Sequence, residues 1–244
     1  ITPQDIDNGS NDACGIASLA LDSTNFDCGE VGANTVTLTV TDVNGNVSTC
    51  TAQVTVEDNV APIALCQDVT VQLDANGQGS TTAQAVDNGS NDACGIASLS
   101  LSQTNFDCNN LFVGNPVTLT VTDVNGNVST CGANVTVEDN VAPTALCQDV
   151  TVQLDSLGNG TIFPADVNNG SFDNCTIDTI FIDNGQFSCS NVNGNTVTLT
   201  VIDESGNTTT CTSNVTVQDN VAPVAICQDI TIQLDVNGQA SIVP

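Results

Sequence analysis

Lysine, arginine and histidine do not occur in this chain of 244 residues, and methionine, tryptophan and tyrosine are absent too. Each gap removes a class of function. Phosphate and nucleic-acid recognition needs basic side chains, and a formal charge of -28 would repel a polyanion. An anionic membrane surface is excluded for the same reason. General acid–base chemistry near neutral pH mostly uses His, Lys or Tyr, which leaves only carboxylates. No run of about 18 apolar residues exists, so no segment inserts as a bilayer-spanning helix. The lack of an initiator Met and of a signal peptide implies an excerpt from a longer polypeptide.

What is present is 40% apolar, built from Val, Ile, Leu and Ala, with many Thr, Asn, Asp and Gly. β-Branched residues with turn formers read as all-β. Self-comparison supplies the organisation. C-Q-D-[VI]-T-[VI]-Q-L-D begins at Cys66, Cys147 and Cys227, and D-N-V-A-P begins at Asp58, Asp139 and Asp219. Ile6–Cys28 matches Val86–Cys108 at 19 of 23 positions. The expected division is a partial repeat over 1–59, complete repeats over 60–140 and 141–220, and the N-terminal part of a further repeat over 221–244.

Within one repeat, Val69–Asp74 alternates apolar and polar residues as a strand, and Ser80–Val86 reads as a weaker one. Ile96–Leu101 follows, then an irregular return over Gln103–Asn115. Val117–Asp123 and Val128–Glu138 form the clearest pair, joined through Asn125-Gly126, a strong hairpin signal. Several short strands in about 80 residues have the size of an immunoglobulin-like sandwich.

C-Q-D near the repeat start, D-N-G-S-N-D-A-C in its middle and T-D-V-N-G-N-V-S-T-C before its last strand resemble the hyalin-repeat (HYR) family. The nearly Lys-free wording is similar to repeats of giant cell-surface adhesins of gliding Bacteroidota. The resemblance spans the whole chain. It implies tandem immunoglobulin-like β-sandwich domains, export through the type IX system, and a role in adhesion or gliding motility. At the first cysteine this chain has Cys-Gln where hyalin repeats usually have Cys-Pro, so connectivity is not carried over.

The 12 cysteines fall four to a complete repeat, without C-x-x-C or His, which favours disulfides and an oxidising, extracellular setting over zinc. Four cysteines allow three pairings. In an immunoglobulin-like sandwich the first and last strands run side by side, which pairs Cys66 with Cys131 and Cys147 with Cys211. Cys94 and Cys108 flank a strand and its return, so they are expected to pair, as are Cys175 and Cys189.

Three oxygen-rich segments are expected to gather at one pole of each domain. Around the first junction they supply Glu57, Asp58, Asn59, Asp87, Asp92, Asp123 and Asn125, and around the second Glu138, Asp139, Asp173 and Asp203. The linker E-D-N-V-A-P also resembles the calcium-binding linker of cadherins. Hard oxygen donors suit Ca²⁺, and a chain without basic residues has only cations to neutralise such clusters. The competing reading is that Asp, Asn and Gly sit there because turns require them; it is the stronger one for the D-x-N-G-N hairpin taken alone. Asp-Ser/Thr-aliphatic triplets mark Ser23, Ser156 and Thr179 as candidate O-glycosylation sites, with ordinary turn or strand hydroxyls as the alternative.

The function these readings support is a non-enzymatic structural stalk of a long extracellular filament or cell-surface adhesin, stiffened by calcium at domain junctions. Its partners would be neighbouring repeats, with an external surface or polysaccharide met by regions outside this window, and no nucleic acid or membrane insertion. The alternatives are spacer repeats of a large secreted enzyme and a carbohydrate-binding array, the latter disfavoured by the missing Trp and Tyr.

Overall fold

A computed structural model describes residues 1–242. The chain is all-β and divides into two compact units, Ile1–Val141 and Ala142–Pro244. The first unit holds α1 (Pro3–Ile6), β1 (Ile16–Leu21), β2 (Gly32–Asp42), β3 (Val47–Val56), β4 (Val69–Gln72), β5 (Gln78–Ser80), α2 (Ala83–Val86), β6 (Ile96–Leu101), β7 (Asn105–Asp107), β8 (Asn115–Asp123) and β9 (Val128–Glu138). The second holds β10 (Val150–Gln153), β11 (Asn159–Thr161), α3 (Pro164–Val167), β12 (Ile177–Ile182), β13 (Gln186–Ser188), β14 (Asn193–Asp203) and β15 (Thr208–Gln218).

A complete repeat builds an immunoglobulin-like sandwich from a four-stranded sheet in the order β4-β9-β8-β6 and a two-stranded β5-β7 pair. The opening strand β4 runs parallel to the last strand β9, from Val69 beside Val135 to Gln72 beside Glu138. The β8–β9 hairpin is antiparallel, with Leu119 opposite Cys131. The second unit repeats the plan as β10-β15-β14-β12 with β11-β13. In the first repeat, among the described residues, the strands form the three-stranded sheet β1-β2-β3.

Period-two alternation explains which residues go inside. On β8, Val117, Leu119 and Val121 are buried, and on β9 Val135 and Val137 join them. Val71 on β4 of the same sheet is buried with them, as are Leu73, Val86, Phe106 and Leu111. Burying each such side chain contributes roughly 1.5–3 kcal/mol. Gly79 is required because β5 crosses tightly over β4. A Cβ there would lie 2.5 Å from Val71 Cγ1 and 3.0 Å from the Gln72 carbonyl oxygen.

One expected strand is corrected. Ser80–Val86 is not a strand: β5 ends at Ser80, and Ala83–Val86 forms one helical turn. Thr82 caps that turn by accepting the Ala85 N–H on its hydroxyl at 3.2 Å, a local hydrogen bond that competes with extended structure.

Candidate functional site

The disulfide frame is the first feature of the site. Cys66 joins Cys131 with Cα atoms 5.8 Å apart, and Cys147 joins Cys211 at 5.9 Å. Each ties the start of a repeat to its last strand. Cys94 does not pair with Cys108. It bonds Cys28 of the preceding repeat, Cα to Cα 5.1 Å, across 66 residues of sequence. Cys175 does not pair with Cys189 either: Cys175 is disulfide-bonded, whereas Cys189 is an exposed free thiol.

The correction has a geometric cause. Cys94 precedes β6, whose six residues carry the chain about 20 Å along the sandwich. The return through β7 is three residues long, and Cys108 then opens a short 3-10 turn. Its sulfur lies 3.8 Å from the Gly77 carbonyl oxygen, at the turn between β4 and β5 and away from Cys94. The second and third cysteines of one repeat therefore occupy opposite ends. The third faces the linker, where the next repeat begins. Phe26, Asp27, Cys28, Val31, Val56, Glu57, Asp58 and Cys94 line a shallow cleft of about 220 Å³ there.

The second feature is the carboxylates. In the β8–β9 turn, buried Asp123 accepts the Asn125 N–H at 2.9 Å and the Asn127 N–H at 2.8 Å on Oδ1. Its Oδ2 accepts the Asn127 side-chain amide at 2.8 Å. Gly126 stands at φ +95°, a left-handed conformation that favours glycine. Burial raises the Asp123 pKa, but hydrogen bonds from Asn127, Asn125 and Gly126 outweigh it and hold the carboxyl below its ordinary value. Asp203 and Asp42 use their own hairpins in the same way, through Asn207 and Asn46. Asp74 likewise accepts N–H groups of Gln78 and Asn76, which hold its pKa down.

Around the first junction, two of the expected calcium ligands come together. Asp58 and Asp92 bring carboxylate oxygens, together with the Cys94 sulfur, within 4.8 Å of one another. Asn125 takes part as a donor: its side-chain amide reaches Asp58 Oδ2 at 2.7 Å. The Asn127 amide reaches the Asp58 and Val60 carbonyl oxygens at 3.0 and 3.3 Å, so neutral amides dock the linker onto the hairpin. Asp87 is committed elsewhere, accepting Ser90 and Gly89 N–H groups beside the Cys66 bridge. These bonds, the Ser90 ones foremost, lower its pKa against the effect of burial. Glu57 accepts the Asn59 amide at 3.2 Å.

In the first unit, Glu138 accepts the Gln72 amide at 2.6 Å, and buried Asp139 accepts the Val141 N–H at 3.0 Å. In the second unit, Asp173 caps the Cys175 N–H at 2.9 Å, and buried Asp203 belongs to its hairpin. Of the candidate glycan sites, Ser156 and Thr179 are exposed and Ser23 is half-buried. The Thr179 hydroxyl donates to Asp178 at 2.8 Å.

No family model matches the chain, and no curated protein matches it. Solved structures similar to it include protocadherin gamma B7 extracellular cadherin domains 1–4, at 12% identity and a TM-score of 0.34, covering 79% of this chain and 59% of that one. Human protocadherin-24 EC1-2 matches at 14% and 0.39, covering 66% of this chain and 100% of that one. Titin domains I67–I69 match at 10% and 0.33, covering 76% and 75%. The chain spans 59% and 36% of the first two protocadherin chains it matches.

Proposed function

We propose that this chain is a stretch of a non-enzymatic stalk, a repetitive extracellular filament or cell-surface adhesin, divided at 1–59, 60–140, 141–220 and 221–244. Its partners are the neighbouring repeats, and its work is to transmit force and hold length. The observation that carries this reading is the Cys28–Cys94 bond, which joins one repeat to the next independently of the linker. It overlaps in sequence with Cys66–Cys131, so the two covalent loops interlock. Tension on the linker reaches a disulfide before it can extract the strands between. Disulfides also require an oxidising compartment, which agrees with export.

Calcium belongs to this reading at Asp58 and Asp92, whose carboxylate oxygens come together while each also accepts hydrogen bonds, Asp58 from Asn125 and Val60 and Asp92 from Cys94 and Gly95. Those two carboxylates and nearby carbonyls offer the hard oxygen atoms the ion requires. The surface adhesin of gliding bacteria, with glycans at Ser23, Ser156 and Thr179, is the form of stalk that the sequence resemblance favours. Native protein would then carry added mass at those three hydroxyls; unmodified native peptides over all three remove the glycan part of the reading.

Single-molecule pulling tests the stalk. A Cys66→Ser/Cys131→Ser background isolates the staple between repeats. There, further replacement of Cys28 and Cys94 by Ser should lengthen the fully unfolded chain by the 66 residues between them, about 220–240 Å. Equal extended lengths would mean that the repeats are not stapled under load.

A further inference from the structure

The β8–β9 turn carries Asn125 before its glycine, and the matching β14–β15 turn carries Ser205. The turn does not need the asparagine. Around Ser205, Asp203 still accepts the Asn207 N–H and side-chain amide, both at 2.8 Å, and Gly206 still stands at φ +88°. What Asn125 adds lies outside its hairpin. Its amide donates to Asp58 Oδ2 at 2.7 Å, across 67 residues of sequence. Asp58 Oδ1 in turn accepts the Val60 N–H at 3.0 Å. The side chain at 125 therefore sets how the linker carboxylate is held, and the turn itself is indifferent to it.

Asn125 and Gly126 are both exposed. Glycine leaves its own nitrogen unshielded, because no Cβ stands beside it. The Gly126 N–H is held by a 3.3 Å bond to the Asp123 carbonyl oxygen, longer than the usual range for such a bond.

We propose that Asn125 is a site of spontaneous deamidation that unlatches the linker carboxylate. The Gly126 nitrogen, on losing its proton, attacks Asn125 Cγ. The new N–C bond closes a succinimide ring as the Cγ–Nδ2 bond breaks, and the nitrogen leaves as ammonia. Water then opens the ring at either carbonyl, which leaves aspartate or isoaspartate at position 125. No electrons change hands. Both products replace a donor amide by a carboxylate that, when ionised, only accepts. Facing Asp58, it repels where the amide attracted, and a chain without basic residues has nothing to offset the charge. Asp58 turns away, and Val60 loses its acceptor. The Asn127 amide still reaches the Asp58 and Val60 carbonyl oxygens, so the linker backbone stays on the hairpin. A junction latched by Asn125 changes with age; a turn with serine in that place does not, because a hydroxyl has no amide to lose.

The test is to incubate the purified chain at neutral and at mildly alkaline pH and to sample it over weeks. Incubation is in EGTA with the disulfides intact, so neither the calcium reading nor the staple between repeats enters. After reduction and cleavage before aspartate, peptide 123–138 should gain the mass of an amide-to-acid change. The gain should be faster at the higher pH, because the attacking nitrogen must first lose its proton. Part of the product should accept methyl groups from an isoaspartyl methyltransferase. Hydrogen exchange reads the consequence: in Asn125→Asp the Val60 N–H should exchange about tenfold faster than in fresh wild type, the effect of losing one hydrogen bond to a charged acceptor. Asn125→Ser should keep the hairpin, and its peptide should hold its mass. An Asn125 amide that persists in the folded chain while the urea-unfolded chain loses it would overturn the proposal. Equal Val60 exchange in Asn125→Asp and fresh wild type would overturn it as well.

Discussion

The first and second repeats lie in one compact unit and share nearly the same wording, yet they bury different amounts of it. Val54 is half-buried where its counterpart Val135 is fully buried, and Phe26 is half-buried where Phe106 is 2% exposed. Asp42 is half-buried where Asp123 is 1% exposed, although both accept the same three donors. Identical local hydrogen bonds therefore form without the opening strand, while the core does not close without it. β4 covers the sheet edge, and β5 brings β7 and Phe106 inward. Local sequence makes the hairpin; the distant strand makes the interior.

Substitutions at matched positions should separate those two contributions. The largest difference is expected at phenylalanine: Phe106→Ala should cost about 3–5 kcal/mol in urea unfolding, and Phe26→Ala clearly less. Equal losses would mean that the first repeat is closed in solution. Next comes the staple within the second repeat, where Cys66→Ser/Cys131→Ser should remove about 2–4 kcal/mol. In the first repeat, where Cys50 has no partner, Cys50→Ser should leave unfolding unchanged.

The hairpin aspartates come third. Asp123→Ala leaves the Asn125 and Asn127 donors unpaired in a buried turn and should cost about 1–3 kcal/mol. Asp42→Ala, in a turn that water reaches, should cost less. A smaller effect is expected from pH. Hydrogen bonds hold Asp123, Asp74 and Asp87 below the ordinary carboxylate value of 3.8 in the folded protein. Their contribution is therefore complete above that value and is lost as pH falls through the still lower folded pKa values. Urea midpoints should hold steady from neutral pH to about 5 and drop in stronger acid. In Asp74→Asn the drop should be shallower. Calcium is expected to act least: millimolar Ca²⁺ should raise the melting temperature over EGTA, and Asp58→Asn/Asp92→Asn should cancel the rise, as read by calorimetry.

Much of the fold was legible because period-two alternation and Asn-Gly turns are local signals. The expected Ile96–Leu101 strand coincides with β6, and Val128–Glu138 with β9. Ser80–Val86 was misread because a threonine cap decides one helical turn against a mixed pattern. In the site, the adjacency of first and last strands led directly to Cys66 and Cys131. Cys94 and Cys108 look like partners because they are close in sequence. Which pole each occupies depends on how far β6 runs and how little β7 returns, and spacing does not encode that. A repeat-long shift in pairing was the readable hint: Cys28 stands as far before Cys94 as Cys66 stands before Cys131, within one residue. For the acidic clusters sequence decides less, since an aspartate that caps a turn and one that binds an ion have the same neighbours along the chain.

The central claim is that successive repeats are covalently stapled. Cleavage before aspartate without reduction isolates the relevant cysteines in separate peptides, 27–41, 92–106 and 107–122. Mass spectrometry should find 27–41 joined to 92–106 through Cys28 and Cys94, and reduction should release both. Finding 92–106 joined to 107–122 through Cys94 and Cys108 would contradict the account.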